Sequence, residues 1–127
     1  KILNIYFESD YSLVGGIRKK RKDKMIKRFS SVFANKIRKF ILKDNCPDTG
    51  CSLKVFKKNI FLSFPYFNGI HRFLPALFLG FGFKTFFLNV DHRQRVYGRS
   101  NYGTIDRFFR GVRDIFKVIK ILKNIEK

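Results

Sequence analysis

The order of apolar and polar positions along the chain predicts helices that alternate with short strands. The chain opens with an apolar segment at 1–7 that is typical of a helix end, followed by a buried strand at 11–17 that ends in glycines. Two further strands are expected at 52–56 and 84–90, where β-branched and aromatic residues are frequent. This alternation favours a layered α/β or α+β domain.

Helices are predicted where apolar residues recur every three or four positions. We expect a basic helix at 24–42, a short helix at 58–64, and a helix at 70–79 that either kinks at Pro75 or begins late. The last helix begins near Thr104, a fair N-cap, and has one long apolar stripe. The residues of this stripe are Ile105, Phe108, Phe109, Val112, Ile115, Phe116, Ile119 and Leu122.

Two interpretations of the last helix, at 104–127, stay open. Arg and Lys flank its aromatic face, which suits a helix that lies in a membrane interface and meets anionic lipid. The same stripe also suits a helix that packs against the core of a soluble domain. Part of the stripe can serve each purpose.

Composition bounds the class of protein. The chain has 127 residues, which allows one domain at most, and 45% apolar residues with 17 Phe argue against disorder. Two cysteines, Cys46 and Cys51, exclude a disulfide-rich scaffold and are expected to be buried, reduced thiols, so the cytoplasm is the default compartment. The longest nearly uncharged run, Phe73 to Val90, is divided by Lys84 and is not a transmembrane helix.

The charge balance points to an anionic partner. Lys and Arg total 28 and Asp and Glu total 9, which gives a net charge of +19. Nucleic acid, phosphorylated ligands and lipid headgroups all fit such a charge, although part of it reflects a biased composition that is poor in alanine. A basic nucleic-acid-binding module is therefore the alternative function, but the aromatics fall mostly on helical core stripes instead of an exposed strand platform.

Several short segments have residues suited to acid–base or phosphate chemistry. Asp48 lies in a turn where a carboxylate can serve as a base or merely cap the turn. His71 and Arg72 begin a predicted helix, where His can act as an acid or base and Arg can clamp a phosphate, or where the pair is a structural His and a solvated Arg. The loop at 92–100 has three Arg and a Ser beside a glycine, which suits a pyrophosphate as well as a solvated surface. The spacing of the cysteines is a weak zinc signal, so no metal site is predicted here.

The order of these segments resembles the C-terminal half of a family 2 glycosyltransferase of the dolichyl- or polyprenyl-phosphate sugar transferase type. The resemblance extends over nearly the whole chain. Its segments are Leu13-Val-Gly-Gly-Ile-Arg18, Ser31-Val-Phe-Ala-Asn35, Asp48-Thr-Gly-Cys-Ser-Leu-Lys54, His71-Arg-Phe-Leu-Pro-Ala76 and Arg95-Val-Tyr-Gly-Arg-Ser-Asn-Tyr-Gly103.

The resemblance implies the C-terminal portion of a GT-A domain, Rossmann-like with a mixed sheet, in a single partial domain at 1–127 with a long amphipathic helix at its end. It implies inverting transfer from a nucleotide-sugar donor to a lipid-phosphate acceptor on the cytoplasmic face of a membrane, and no nucleic-acid partner. Asp48 matches the candidate catalytic residue near the acceptor. Phosphate or acceptor binding is assigned to Arg18, Arg28, Ser31, His71, Arg72, Arg95, Arg99 and Ser100.

The chain departs from the family pattern at several positions. Asn101 replaces a usual Lys, and Gly69-Ile70 precedes His71 where relatives often have an acidic residue, which leaves the catalytic base open. The family's D-x-D metal motif does not occur in these 127 residues. We therefore expect a truncated or partial chain that is inactive alone, with the divalent metal, Mg or Mn, bound only in the complete parent.

Overall fold

The described residues form helices and strands in alternation. The computed structural model describes residues 1–18, 36, 38–91 and 104–125, with the backbone alone at 104–108. A 3-10 turn at Ile70–Arg72 precedes the third helix, and residues 38–42 are helical. The elements are α1 (Ile2–Glu8), β1 (Leu13–Arg18), β2 (Lys54–Phe56), α2 (Lys58–Ser63), α3 (Leu74–Gly80), β3 (Thr85–Val90) and α4 (Thr104–Lys123).

The strands of the described part form a mixed three-stranded sheet in the order β2-β1-β3. β1 is antiparallel to β2, with Leu13 opposite Phe56, and parallel to β3, with Leu13 opposite Thr85. As the middle strand, β1 has Leu13 and Val14 fully buried. The prediction of an α/β chain with a mixed sheet is confirmed, and β1 ends at Arg18.

Two glycines in β1 let side chains of the neighbouring strand β3 pack directly against the β1 backbone. A Cβ at Gly15 would lie 2.9 Å from the ring of Phe87, and one at Gly16 would lie 2.8 Å from Val90. Side chains at these positions would push β3 away from β1, so the glycines allow close approach within the sheet.

Phenylalanines build much of the core between the sheet, α3 and α4. The fully buried Phe78 of α3 packs edge-on against Phe64 at 5.1 Å between ring centroids and also contacts Phe56 and Phe83. Aromatic rings bury large areas, which explains how a chain with few alanines fills its interior. The buried core residues are Leu13, Leu42, Phe64, Ile70, Phe73, Leu74, Ala76, Leu77, Phe78 and Val118.

The stripe predicted on the last helix divides between core and surface. Ile115, Ile119 and Leu122 pack against the core, whereas Phe109 and Phe116 are about two-thirds exposed and Val112 is also exposed. Val118, which lies off the stripe, is fully buried. The helix thus rests on the core by one side of the predicted stripe together with Val118, whereas Phe109 and Phe116 are exposed.

The predictions for the third helix and the cysteines are confirmed, and the helix predicted at 24–42 is described only in part. α3 begins late, with Pro75 in its first turn, where a missing N–H costs little. Cys46 and Cys51 are buried and free. Of the helix predicted at 24–42, only residues 36 and 38–42 are described as helical. Among the described helices, none has the length and apolar content needed to cross a bilayer.

Candidate functional site

The candidate site is built around an arginine at the end of β1. Arg18 Nε donates to Asp48 Oδ2 and Nη2 donates to Oδ1, each at 2.7 Å, while the backbone N–H of Arg18 lies 3.3 Å from Oδ2. The Asp48 side chain is 9% exposed and that of Arg18 is 20% exposed. A bidentate pair of this kind fixes the guanidinium plane as well as its position.

The turn that carries Asp48 is held by its own backbone and by a lysine. The Cys51 N–H donates to the Asp48 carbonyl at 3.2 Å, which closes the turn. Lys54 Nζ donates to the carbonyl oxygens of Thr49, at 3.2 Å, and Cys51. A Cβ at Gly50 would lie 2.9 Å from Arg18 Nη2, so glycine leaves the space that the guanidinium needs.

The charges around this turn are coupled to His71. Burial is the main cause that lowers the pKa of Lys54, partly offset by nearby Cys46, Cys51 and Asp48. The pKa of His71 is lowered first by burial and then by the charges of Arg72 and Lys54. The 3-10 turn therefore places His71 in the field of Lys54, the lysine that holds the Asp48 turn.

Arg72 is the last residue of the 3-10 turn and joins this turn to the last helix. Its Nη2 donates to Asp114 Oδ2 at 2.6 Å, and its guanidinium is 5.8 Å from the Phe73 ring centroid. Asp114 also lies 3.5 Å from Lys117. A side chain predicted to bind phosphate is thus held by a carboxylate from an element 42 residues away.

A second arginine–aspartate pair is buried beneath the loop that leads to Asp48. Arg38 Nη2 donates to Asp44 Oδ1 at 3.2 Å and to the Cys46 carbonyl at 2.7 Å, and Asp44 is fully buried. Desolvation raises the pKa of Asp44, although Arg38 and the Cys46 N–H act against it, and burial also raises the pKa of the Cys46 thiol. This pair clamps Cys46 from both sides, two residues before Asp48.

The carboxylates of the described ranges do not fit a divalent metal. Asp44, Asp48 and Asp114 each pair with a different arginine. Within residues 1–18, 36, 38–91 and 104–125 there is no group of three or more His, Cys, Asp and Glu side chains placed to share an ion. This part of the chain therefore offers no cage of oxygen ligands for Mg or Mn.

The structure brings part of the predicted site together. Arg18 and Asp48 are in contact, and Lys54 couples electrostatically to both and to His71. Lys54, Asp44 and Asp114 were not predicted as site residues from the sequence. The signal for Asp114 was an acidic residue within a basic, apolar helix. The predicted residues Arg28, Ser31, Arg95, Arg99 and Ser100 lie outside the described residues.

The chain is similar in sequence to known proteins whose names describe the transfer of a sugar to a polyprenyl phosphate. The chain is 30% identical over 96 residues to the undecaprenyl-phosphate 4-deoxy-4-formamido-L-arabinose transferase of Shewanella sediminis. This alignment covers 76% of the chain and 29% of that protein. The chain is 32% identical over 117 residues to the dodecaprenyl-phosphate galacturonate synthase of Rhizobium johnstonii, covering 90% and 34%. An Edwardsiella ictaluri protein with the same name as the first is 27% identical over 96 residues, covering 76% and 30%.

These relatives are considerably longer than the chain. The chain spans about a third of the length of the curated relatives it matches. No family model matches the sequence, and no solved structure matches it. The resemblance predicted from the ordered motifs is nevertheless confirmed: the chain is a homologue of bacterial polyprenyl-phosphate sugar transferases.

Proposed function

We propose that this chain is the acceptor-side part, in one partial GT-A domain at 1–127, of an inverting glycosyltransferase. The complete enzyme transfers a sugar from a nucleotide-sugar donor to a polyprenyl-phosphate acceptor. The observation that carries the proposal is the similarity to polyprenyl-phosphate sugar transferases over 76–90% of the chain. The fixed guanidinium of Arg18 beside Lys54 supports it, because such a cluster suits a phosphate.

The acceptor phosphate supplies its own nucleophile. The second pKa of a phosphate monoester is about 6, so the dianion predominates at neutral pH and a deprotonated oxygen is available as the nucleophile. That oxygen attacks the anomeric carbon while the bond from this carbon to the nucleotide diphosphate breaks, which inverts the configuration. The protein's task is then to hold the phosphate in line with the donor and to offset charge on the two anions.

We assign the acceptor phosphate to cations around the Asp48 turn. Arg18 presents a guanidinium whose orientation is fixed by Asp48. Arg72 and His71 lie on the 3-10 turn, where the charge of Lys54 acts on His71. Arg28, Ser31, Arg95, Arg99 and Ser100 complete the proposed set on the strength of the motif resemblance. In this proposal, these residues supply several hydrogen-bond donors to the phosphate.

Asp48 acts in this scheme by holding Arg18. Both of its oxygens accept hydrogen bonds from the guanidinium, and its side chain is nearly buried. Because the phosphate nucleophile needs no proton removed, a general base is not required.

The divalent metal expected for the complete enzyme belongs to another part of it. The nearly buried carboxylates of Asp44, Asp48 and Asp114 pair with arginines, and the described residues hold no cluster of metal-binding side chains, so the fit to a metal is poor and no step here runs through one. When bound, such an ion would help to neutralise the diphosphate leaving group.

We further propose that the enzyme is peripheral on the cytoplasmic face of a membrane, with α4 against the anionic surface. Phe109, Val112 and Phe116 are exposed on this helix, and Arg113 and Lys120 are exposed beside them. A groove of about 420 Å³ between Tyr66, Phe81 and the end of α4 extends the apolar surface. Exposed apolar residues among cations suit the headgroup boundary of a bilayer.

The test uses protein made from the complete reading frame that encodes this chain. It is incubated with undecaprenyl phosphate in detergent and a panel of labelled nucleotide sugars, and lipid-linked sugar is measured. We expect transfer from one donor, and none from the 127-residue chain alone. Absence of transfer from every donor, together with tight RNA binding at about 0.15 M salt and no vesicle binding, would favour the nucleic-acid-binding alternative.

A further inference from the structure

The last helix contributes a buried carboxylate to the candidate site. Asp114 is 5% exposed although α4 is otherwise rich in exposed cations. It accepts a hydrogen bond from Arg72 Nη2 at 2.6 Å, and its second oxygen lies 3.5 Å from Lys117 Nζ. A carboxylate that leaves water in this way requires a partner, and Arg72 is the nearer one.

A glycine makes room for this contact. Gly69 has φ of +95°, a left-handed conformation that favours glycine. A Cβ there would lie 2.7 Å from Arg72 Nη2 and 3.0 Å from Asp114 Oδ2. The turn, the arginine and the helix carboxylate therefore fit together as one unit, as Gly50 does with Arg18 and Asp48.

We infer that Asp114 is a positioning residue that fixes the Arg72 guanidinium beside His71 for contact with the acceptor phosphate. This inference rests on the proposed function. An arginine side chain with 35% exposure loses much conformational freedom when it is placed for binding, and a buried carboxylate removes that freedom in advance. Asp114 acts only through Arg72. Because the aromatic face of α4 is proposed to meet the membrane, one helix joins the surface to the site.

The experiment compares acceptor kinetics in protein from the complete reading frame. Asp114→Asn and Arg72→Gln are each expected to raise KM for undecaprenyl phosphate by about tenfold with little change in kcat. In the double variant, KM should be no higher than in Arg72→Gln alone. Asp114→Glu, which keeps the charge, should raise KM for undecaprenyl phosphate less than Asp114→Asn does. Asp10→Asn is the matched control, since it breaks an exposed pair with Lys84.

The following results would overturn the inference that Asp114 positions Arg72. If Asp114→Asn raises KM as much in the Arg72→Gln background as alone, or only lowers the melting temperature, Asp114 has a structural role and the inference is wrong. Should Asp114→Asn fail to fold, an unchanged KM in Arg72→Gln overturns it. An unsubstituted protein without transfer overturns the proposed function, and the inference with it.

Discussion

The cations of the site and those of the last helix are held in different ways. Arg18 and Arg72 each donate to a nearly buried carboxylate at 2.7 Å or less, and glycines pack against both guanidinium groups. On α4, by contrast, Arg113 and Lys120 extend into solvent beside exposed aromatic rings. The same residue types therefore occur in one fixed and one adaptable arrangement.

The difference teaches what each set of charges can recognise. A guanidinium whose orientation is fixed can bind a single phosphate in a defined pose, because little freedom remains to be lost on binding. Exposed lysines attract an anionic surface without defining any pose, and salt weakens their effect. Under the proposed function, the net charge of +19 serves two tasks that substitutions can separate.

The largest expected effect follows the loss of a fixed cation. Arg18→Gln in the complete protein should lower kcat/KM for undecaprenyl phosphate by about 100-fold, because a preorganised donor disappears from the phosphate site. Steady-state kinetics measure this effect. Arg18→Lys should recover only part of the loss, since lysine keeps the charge without the bidentate geometry.

The control for this substitution is Lys84→Gln. Lys84 pairs with Asp10 at 3.2 Å, but both side chains are more than two-thirds exposed, so its loss should leave kcat/KM unchanged. Equal losses in Arg18→Gln and Lys84→Gln would show that activity depends on net charge alone.

The next effect compares how much the buried face and the exposed face of α4 contribute to the free energy of unfolding. Val118→Ala should lower the free energy of unfolding by about 2 kcal/mol, since the side chain is fully buried and its removal leaves a cavity. Phe116→Ser, on the exposed face, should change it by less than about 0.5 kcal/mol. Urea unfolding of both variants measures this, and a reversed order would mean that the helix packs by its aromatic face.

The exposed face should matter for lipid. Val112→Ser combined with Phe116→Ser should weaken binding to vesicles that contain anionic phospholipid by about tenfold, because apolar area no longer enters the interface. Co-sedimentation measures the affinity. Phe7→Ser, which removes an exposed aromatic residue from α1, is the matched control and should bind as the unsubstituted chain does.

The smallest effect concerns the electrostatics of the site. The pKa of His71, followed by NMR, should lie below the ordinary value of histidine and rise toward it in Arg72→Gln and Lys54→Gln, but not in Lys123→Gln. Because this pKa is lowered on folding, His71 favours the folded state above the unfolded pKa and loses that contribution as pH falls through the folded pKa. A pKa unchanged in both site variants would place these cations farther from His71.

Local patterns predicted the elements well because each one depends on neighbouring residues. Short windows show the glycines of β1 and the division of apolar runs by turns. They also show that Pro75 disturbs the helix at 70–79, but they left open whether that helix kinks or, as found, begins late. The buried face of α4 was predicted less well. Periodicity marks an apolar stripe but not which part of it the core covers, so Val118 was missed while Phe116 is exposed.

The site was only partly predictable for the same reason. Asp48 follows from the motif order, but its bidentate pairing with Arg18 joins residues 30 apart, and the pairing of Arg72 with Asp114 joins residues 42 apart. Side-chain partners across such distances depend on the packing of whole elements. Lys54, which binds the Asp48 turn, was visible only as the last residue of a motif.

The most direct test of two separable sets of cations compares two acceptors in one transfer assay. One acceptor is a short, water-soluble prenyl phosphate, and the other is undecaprenyl phosphate in anionic vesicles. Arg18→Gln should reduce transfer to both, whereas Arg113→Gln combined with Lys120→Gln should reduce transfer only to the vesicle acceptor. Loss of transfer to the soluble acceptor in the helix variant, equal to its loss in Arg18→Gln, would contradict the account.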